Sequence, residues 1–290
     1  MNAQKNTVKN IKIAFLLNLS FTVIELVGGL LTNSLAILSD ALHDFSDSVS
    51  LAMSLYLETK SEKRRTAEFS YGYRRLSLFS ALISSTILIA GSIFVILEAI
   101  PRIFEPQHSN AQGMLGLAIL GIAVNTIAAL RTRRGKSLNQ QMITWHLMED
   151  VFGWVAVLVT SLVMLVFDFH MLDPLLSLGI TTYVLWNVFK KLKVVLKIFL
   201  QAVPQNISVK KIENGLKKIP KVAYAHDTHV WSLDGENHVL STHLVVRQTS
   251  SAKELMEIKC KAKELISHFG IEHATVELEQ TNESCNLKNH

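Results

Sequence analysis

The chain of 290 residues is 49% hydrophobic and only 18% charged, with a formal net charge of +5. Its mean hydropathy of +0.28 is high for a soluble protein and leaves room for a membrane region plus one modest soluble domain. The basicity does not point to nucleic acid, because the cations flank hydrophobic runs and form no aromatic-interleaved basic stripe.

The first residues, Met1–Lys12, are polar. The apolar segment after them is of full spanning length without an evident cleavage site, so no removable signal peptide is expected. Six segments then qualify as membrane spans, at about 13–32, 34–57, 78–101, 113–130, 142–166 and 173–189. Each meets the roughly 17–25 helical residues needed to cross about 30 Å of hydrocarbon. The fourth carries no charge, and the sixth opens at Asp173-Pro174, with proline suited to a first helical turn.

The loops predict an orientation. Lys5, Lys9 and Lys12 precede the first span. Lys60, Lys63, Arg64, Arg65, Arg74 and Arg75 separate the second from the third, and Arg131, Arg133, Arg134 and Lys136 the fourth from the fifth. Lys190, Lys191, Lys193 and Lys197 follow the sixth, whereas the alternate loops hold only Arg102. The positive-inside rule therefore predicts six spans with both termini cytoplasmic.

From about residue 206 the composition turns soluble. Ser208–Ile219 reads as an amphipathic helix, and Val222–Leu233 and His238–Val246 as strands joined at Asp234-Gly235. Ser251–His268 reads as a second helix and His273–Glu279 as a last strand. The predicted fold is an α-helical membrane bundle of six transmembrane helices plus a small α+β cytoplasmic domain of order α-β-β-α-β, ferredoxin- or metallochaperone-like. The predicted domains are 1–200 and 206–280, followed by a flexible tail at 281–290.

Inside the apolar spans lie two costly repeats. His43 is followed by Asp47 in the second span, and His146 by Asp150 in the fifth. A spacing of four places each pair on one helix face, and an ionisable group in the membrane costs roughly 2.5–3.5 kcal/mol unless paired, hydrated or metal-bound. Asp40 and Asp44 share the stripe of His43 and Asp47, with Ser50 and Ser54 prolonging it, and the fifth span adds Glu149 and Gly153. These groups either end helices near the interface or face a shared cavity. Two imidazoles and two carboxylates match one tetrahedral divalent metal, zinc first. Ligand type sets zinc apart from manganese and magnesium better than from iron or cobalt. Because ligands must lose protons to bind metal, loading expels protons and protonation expels metal, with His43 and His146 the natural exchangers. Asp40 and Asp44 either orient ligands or face the cavity mouth.

Three motifs carry a family resemblance. Asn33-Ser34-Leu35-Ala36-Ile37-Leu38-Ser39-Asp40-Ala41-Leu42-His43 followed by Asp47 resembles the second-span signature of the cation diffusion facilitators. Phe69-Ser70-Tyr71-Gly72-Tyr73-Arg74-Arg75 resembles their motif entering the third span, and His226-Asp227-Thr228-His229-Val230-Trp231-Ser232-Leu233 the start of their cytoplasmic domain. The resemblance covers nearly the whole chain. It implies a homodimer in the bilayer, with one transport site per protomer built from His43, Asp47, His146 and Asp150. It implies metal–proton antiport by alternating access, exporting zinc and often cadmium, with Zn2+ as transported substrate and regulatory ligand. The bacterial inner (plasma) membrane is the expected location, because the loop between the fourth and fifth spans is short and without histidine.

Six of the eleven histidines lie in 226–273. The resemblance implies a second, cytoplasmic zinc site at His226, His243 and an acidic residue of the last strand, Glu277 or Glu279, and strand alternation puts His243 on one face with Val239, Ser241 and Val245. His229 and His238 are weaker candidates. An accessory loop site of some relatives is expected to be absent, since Phe69 and Tyr73 stand where they carry histidine. Cys260, mid-helix, is expected to be packed, Cys285 lies in the tail, and no disulfide framework is implied. The rival readings are an iron, cobalt or manganese exporter, a membrane-tethered metal sensor and an intramembrane metalloenzyme. The enzyme lacks an HExxH-type glutamate base and leaves the charge topology unexplained.

Overall fold

The computed structural model describes residues 2–60, 66–132, 138–247 and 251–281. The tail from 282 onward, with Cys285, lies outside the described residues, as do Lys63, Arg64, Arg65, Arg133, Arg134 and Lys136. The chain divides after Leu192 into two compact units.

The first unit holds six long helices: α1 (Asn2–Thr32), α2 (Leu35–Lys60), α3 (Leu76–Phe104), α4 (Ala111–Thr132), α5 (Leu138–Phe167) and α6 (Leu172–Phe199), the last running past Leu192 into the second unit. Four of them, α1, α3, α4 and α5, are long and apolar enough by composition to cross a membrane. The other two fall short for a visible reason. Asp40, Asp44 and Asp47 interrupt α2, and Asp173, Thr181, Thr182 and Asn187 thin the apolar run of α6. The six expected spans are thus six helices, two of which spend apolar character on polar groups.

Bulky apolar side chains such as Leu30, Phe94, Leu97, Ile127, Phe152 and Phe189 point outward from the bundle, as lipid-facing residues do. Its core joins Phe21 of α1, Ala36 and Ile37 of α2, Met114 and Ala118 of α4, and Trp154, Val157 and Met164 of α5. Trp154 lies so close to Gly121 that a Cβ there would sit 2.3 Å from the indole. Only glycine lets α4 approach at that point.

Polar side chains bind α2 to three neighbours, the role such groups take where apolar contact no longer discriminates helix from lipid. Asn18 of α1 donates to the Asp44 carbonyl at 2.9 Å and to Ser48 Oγ at 3.0 Å. Toward α3, Ser50 Oγ and Ser84 Oγ are 2.7 Å apart, and Ser46 Oγ donates to the Ser84 carbonyl at 3.2 Å. Toward α6, Ser39 Oγ and Thr181 Oγ1 are 3.1 Å apart.

The second unit contains α7 (Val209–Leu216), β1 (Val222–Ser232), β2 (His238–Val246), α8 (Ala252–Ser267) and β3 (Ile271–Gln280). The strands form a sheet of order β1-β2-β3, with β1 antiparallel and β3 parallel to β2. A parallel neighbour requires a crossover, which α8 supplies. Ile212 and Leu216 of α7 and Ile258, Ala262 and Ile266 of α8 pack on Val230, Leu240, Leu244, Val246 and Val276. Both helices therefore cover one face, and the other carries His226, Ser241 and His243 together with Val239 and Val245. α8 starts at a capping box, in which Ser251 and Glu254 each accept from the other's backbone N–H.

Two expectations change. Cys260 is exposed, not packed, because the buried stripe of α8 runs Ile258, Ala262, Ile266 at steps of four and position 260 falls outside it. The hairpin connection is longer than a tight Asp-Gly turn. Ser232 pairs with His238, and the Asp234 carboxylate accepts from the Glu236 and Asn237 backbone N–H groups at 3.0 and 2.7 Å, an Asx arrangement that organises the loop.

Candidate metal centres

Inside the bundle, α2 presents its stripe as periodicity predicts. Asp44 is buried, His43 and Asp47 are half-buried, and Phe45 between them is exposed. His43 Nε2 and Asp47 Oδ2 lie 3.8 Å apart. On α5, Asp150 is half-buried; the His146 backbone lies one helical turn before it, and its side chain is outside the described residues. Asp47 stands thirteen residues before the end of α2 and Asp150 twelve after the start of α5, each about 20 Å of helix from that terminus. α2 also packs against α5.

One residue here escaped the sequence reading. Glu25 of α1 is 1% exposed, and neither of its carboxylate oxygens is hydrogen-bonded by a donor among the described residues. Its carboxylate lies against that of Asp44 and in the field of Asp40 and Asp150. Helices α1, α2 and α5 thus bring carboxylates to one place in the bundle interior. A signal was available, since a lone glutamate within the apolar span Phe15–Thr32 is costly enough to mark function.

In the second unit, His226, His243 and Glu279 each offer a ligand atom, all within 4.8 Å of one another. His226 Nε2 is 3.1 Å from Glu279 Oε2, and His243 Nδ1 contacts Glu279 Oε1. The two rings are 5.3 Å apart, centroid to centroid. The backbone register explains the convergence: His226 pairs with His243, His243 with Glu277, and Val245 with Glu279. Glu279 is buried, while Glu277, 3.6 Å from His243 Nε2, keeps a side chain 65% exposed. Of the two acidic candidates, Glu279 is the one enclosed by histidines.

A β-bulge makes this possible. His226 and Val230 are four apart and would share a face in a regular strand. An extra residue between His226 and His229 breaks the register, and Asp227 takes the left-handed φ of +48° at that point. Val230 consequently faces the helices while His226 faces outward with His243. Asp227, which the sequence reading passed over as a ligand, lies beside the cluster, with Oδ2 3.8 Å from His243 Nε2 and Oδ1 2.8 Å from His229 Nε2. His229 is exposed and His238 is buried, neither within the three-ligand group. Phe69 and Tyr73 stack on each other, 4.9 Å between centroids.

Two imidazoles and one buried carboxylate form a donor set that suits zinc and leaves a coordination position open. The bundle interior offers imidazole and carboxylate between apolar helices.

The chain is similar to known proteins over nearly its whole length. Residues 11–200 match the cation efflux transmembrane domain, and residues 204–281 match the cytoplasmic domain of cation efflux proteins. The chain is 32% identical over 275 residues to the cadmium, cobalt and zinc/H(+)-K(+) antiporter of Bacillus subtilis, covering 93% of this chain and 88% of that protein. It is 30% identical over 276 residues to the zinc transporter ZitB of Pectobacterium atrosepticum, covering 93% and 85%. It is 29% identical over 274 residues to the metal cation efflux system protein CzcD of Cupriavidus metallidurans, covering 93% and 86%. The chain belongs to the cation efflux family, the cation diffusion facilitators, and is an integral membrane transporter rather than an enzyme.

Proposed function

We propose that this protein exports zinc, and with it cadmium, from the cytoplasm in exchange for protons. The observation that carries the reading is the inward stripe of α2, where His43 and Asp47 sit 3.8 Å apart in a helix that gives up membrane-grade apolarity to hold them. Relatives named for zinc, cadmium and cobalt transport supply the substrate class. His43, Asp47, His146 and Asp150 are the transport ligands in this reading. Zinc loads from the cytoplasmic side, the bundle opens outward, and protons displace the ion because bound ligands must be unprotonated.

The division of labour follows the same lines. Residues 1–200 form the transmembrane domain, with both termini on the cytoplasmic side of the bacterial inner membrane. Residues 206–280 form the cytoplasmic domain, through which two copies pair. His226, His243 and Glu279 there hold a regulatory zinc, with Asp227 and Glu277 at its edge. The ion would join β1 to β3 and report cytoplasmic zinc to the dimer.

Proteoliposomes decide the matter. The full chain should carry zinc down a chelator gradient, with opposite proton movement reported by a trapped pH dye, and H43A/D47A should abolish both signals. Zinc flux without any proton signal would overturn the antiport. A panel with cadmium, cobalt, iron and manganese ranks the substrates, and cobalt remains in it because one relative's name includes that ion.

A further inference from the structure

A third cluster lies at the end of the bundle built by the α1–α2, α3–α4 and α5–α6 connections. His108, between α3 and α4, meets Asp168 and His170, between α5 and α6. Their ligand atoms all lie within 4.8 Å of one another. His170 Nε2 is 2.9 Å from Asp168 Oδ1, and the His108 and His170 rings meet edge to face at 4.3 Å. The His170 side chain is only 14% exposed, and its Nδ1 is buried without a hydrogen-bond partner among the described residues.

We propose that His108, Asp168 and His170 form a divalent-cation site of the zinc class, separate from the transport ligands. Asp150 lies seventeen residues, about 25 Å of helix, before the end of α5 at Phe167, so one ion cannot engage both places. A plain structural reading accounts for the Asp168–His170 hydrogen bond and the ring contact. It leaves a second imidazole gathered at the same carboxylate, and a buried His170 nitrogen unsatisfied, which costs about 1–3 kcal/mol. Two imidazoles and one carboxylate suit zinc, with water completing the coordination.

The two arms are pre-positioned on one turn. The Asn33 side-chain amide donates to the His108 carbonyl at 3.2 Å, Ser109 Oγ donates to the Asn33 carbonyl at 3.1 Å, and the Asn110 N–H to the Thr32 carbonyl at 2.8 Å. The second arm is held at Ser34, the next residue, whose Oγ donates to Asp173 Oδ1 at 2.6 Å. Arg102, the nearby cation, is engaged by Asn33 and Glu98. Ordering the ligands therefore costs the ion little. The exposure of Asp168 and His108 makes the site open and exchangeable. With cytoplasmic termini, the orientation proposed above, it faces away from the cytoplasm and would receive the exported ion; the binding itself does not rest on that orientation.

The test is histidine footprinting of the full chain in detergent with diethyl pyrocarbonate, read by peptide mass spectrometry across a zinc titration. Saturating zinc should slow labelling of His108 at least fivefold and leave the exposed His268 unchanged as reference. In D168N/H170Q, the zinc concentration that half-protects His108 should rise at least tenfold. Equal labelling of His108 with and without zinc overturns the proposal, and so does protection that persists unaltered in D168N/H170Q. If that variant does not fold, the His108-to-His268 comparison in the unaltered protein still decides.

Discussion

Asp173, in the first turn of α6, caps α2 through Ser34. Besides the Ser34 hydroxyl, its carboxylate accepts from the Leu35 N–H at 2.8 Å and the Ala36 N–H at 3.3 Å. It thereby answers the unpaired donors of the helix that carries His43. The residue is fully buried, so no water replaces it. Asp173→Ala should lower the Tm of the detergent-solubilised protein, with a loss of about 1–3 kcal/mol for the donors left behind. Asp173→Asn, which keeps one acceptor, should fall between. An Ala variant as stable as the parent would show that α2 needs no cap here.

Glu25 and Asp44 meet carboxyl to carboxyl in the bundle interior. In Glu25→Gln a neutral amide donor replaces one of the two carboxyls at nearly constant volume, so thermal unfolding should move upward, by an amount on the order of 1 kcal/mol. Differential scanning fluorimetry of the two proteins side by side measures it. A lower Tm for the glutamine variant would mean that the site depends on the carboxylate for its structure.

His243→Ala and Glu279→Gln should each remove zinc from the cytoplasmic cluster, whereas Glu277→Gln, altering an exposed group, should weaken binding by a smaller factor. Equilibrium dialysis with metal analysis of the purified chain separates them. In the parent protein, zinc at a hundred times its Kd should stabilise the cytoplasmic unit by about 2.7 kcal/mol, and a chelator should reverse this. Equal losses in Glu277→Gln and Glu279→Gln would refute the ranking by burial.

The Lys221 ammonium, 2.6 Å from Glu254 Oε1, holds the Glu254 carboxyl below its ordinary value of 4.5, with help from the Ser251 N–H. A depressed carboxyl contributes stability that is present above its unfolded value and lost as pH falls through the lower folded one. Glu254→Gln should therefore lower the Tm of the cytoplasmic unit slightly at neutral pH and match the parent once the pH is below that folded value. The pair is exposed, so 1 M salt should shrink the difference further.

Much of this molecule can be read from its residues in order. Helices α1 to α6 follow from runs of apolar residues, and the inward stripe at Asp40, His43, Asp44 and Asp47 from a period near 3.6. Strands β1, β2 and β3 lie where β-branched and alternating residues put them, and the chain belongs to the family its motifs resemble. Cys260 falls on the open side of α8 because only half of a turn, one or two residues, separates that side from the packed stripe.

Other features had no local signature. Glu25 meets Asp44 only because α1 and α2 pack, and His108 meets His170 only because two loops dock on Asn33 and Ser34. The one-residue bulge at Asp227 turned His226 toward His243, against the plain alternation of β1. Spans, charge asymmetry and ligand-bearing helix faces are written in the chain because hydrophobic length and periodicity are local properties. Which carboxylates face each other, and which histidines share a carboxylate, belong to the tertiary structure, because a contact between residues far apart in sequence exists only once packing has closed the distance.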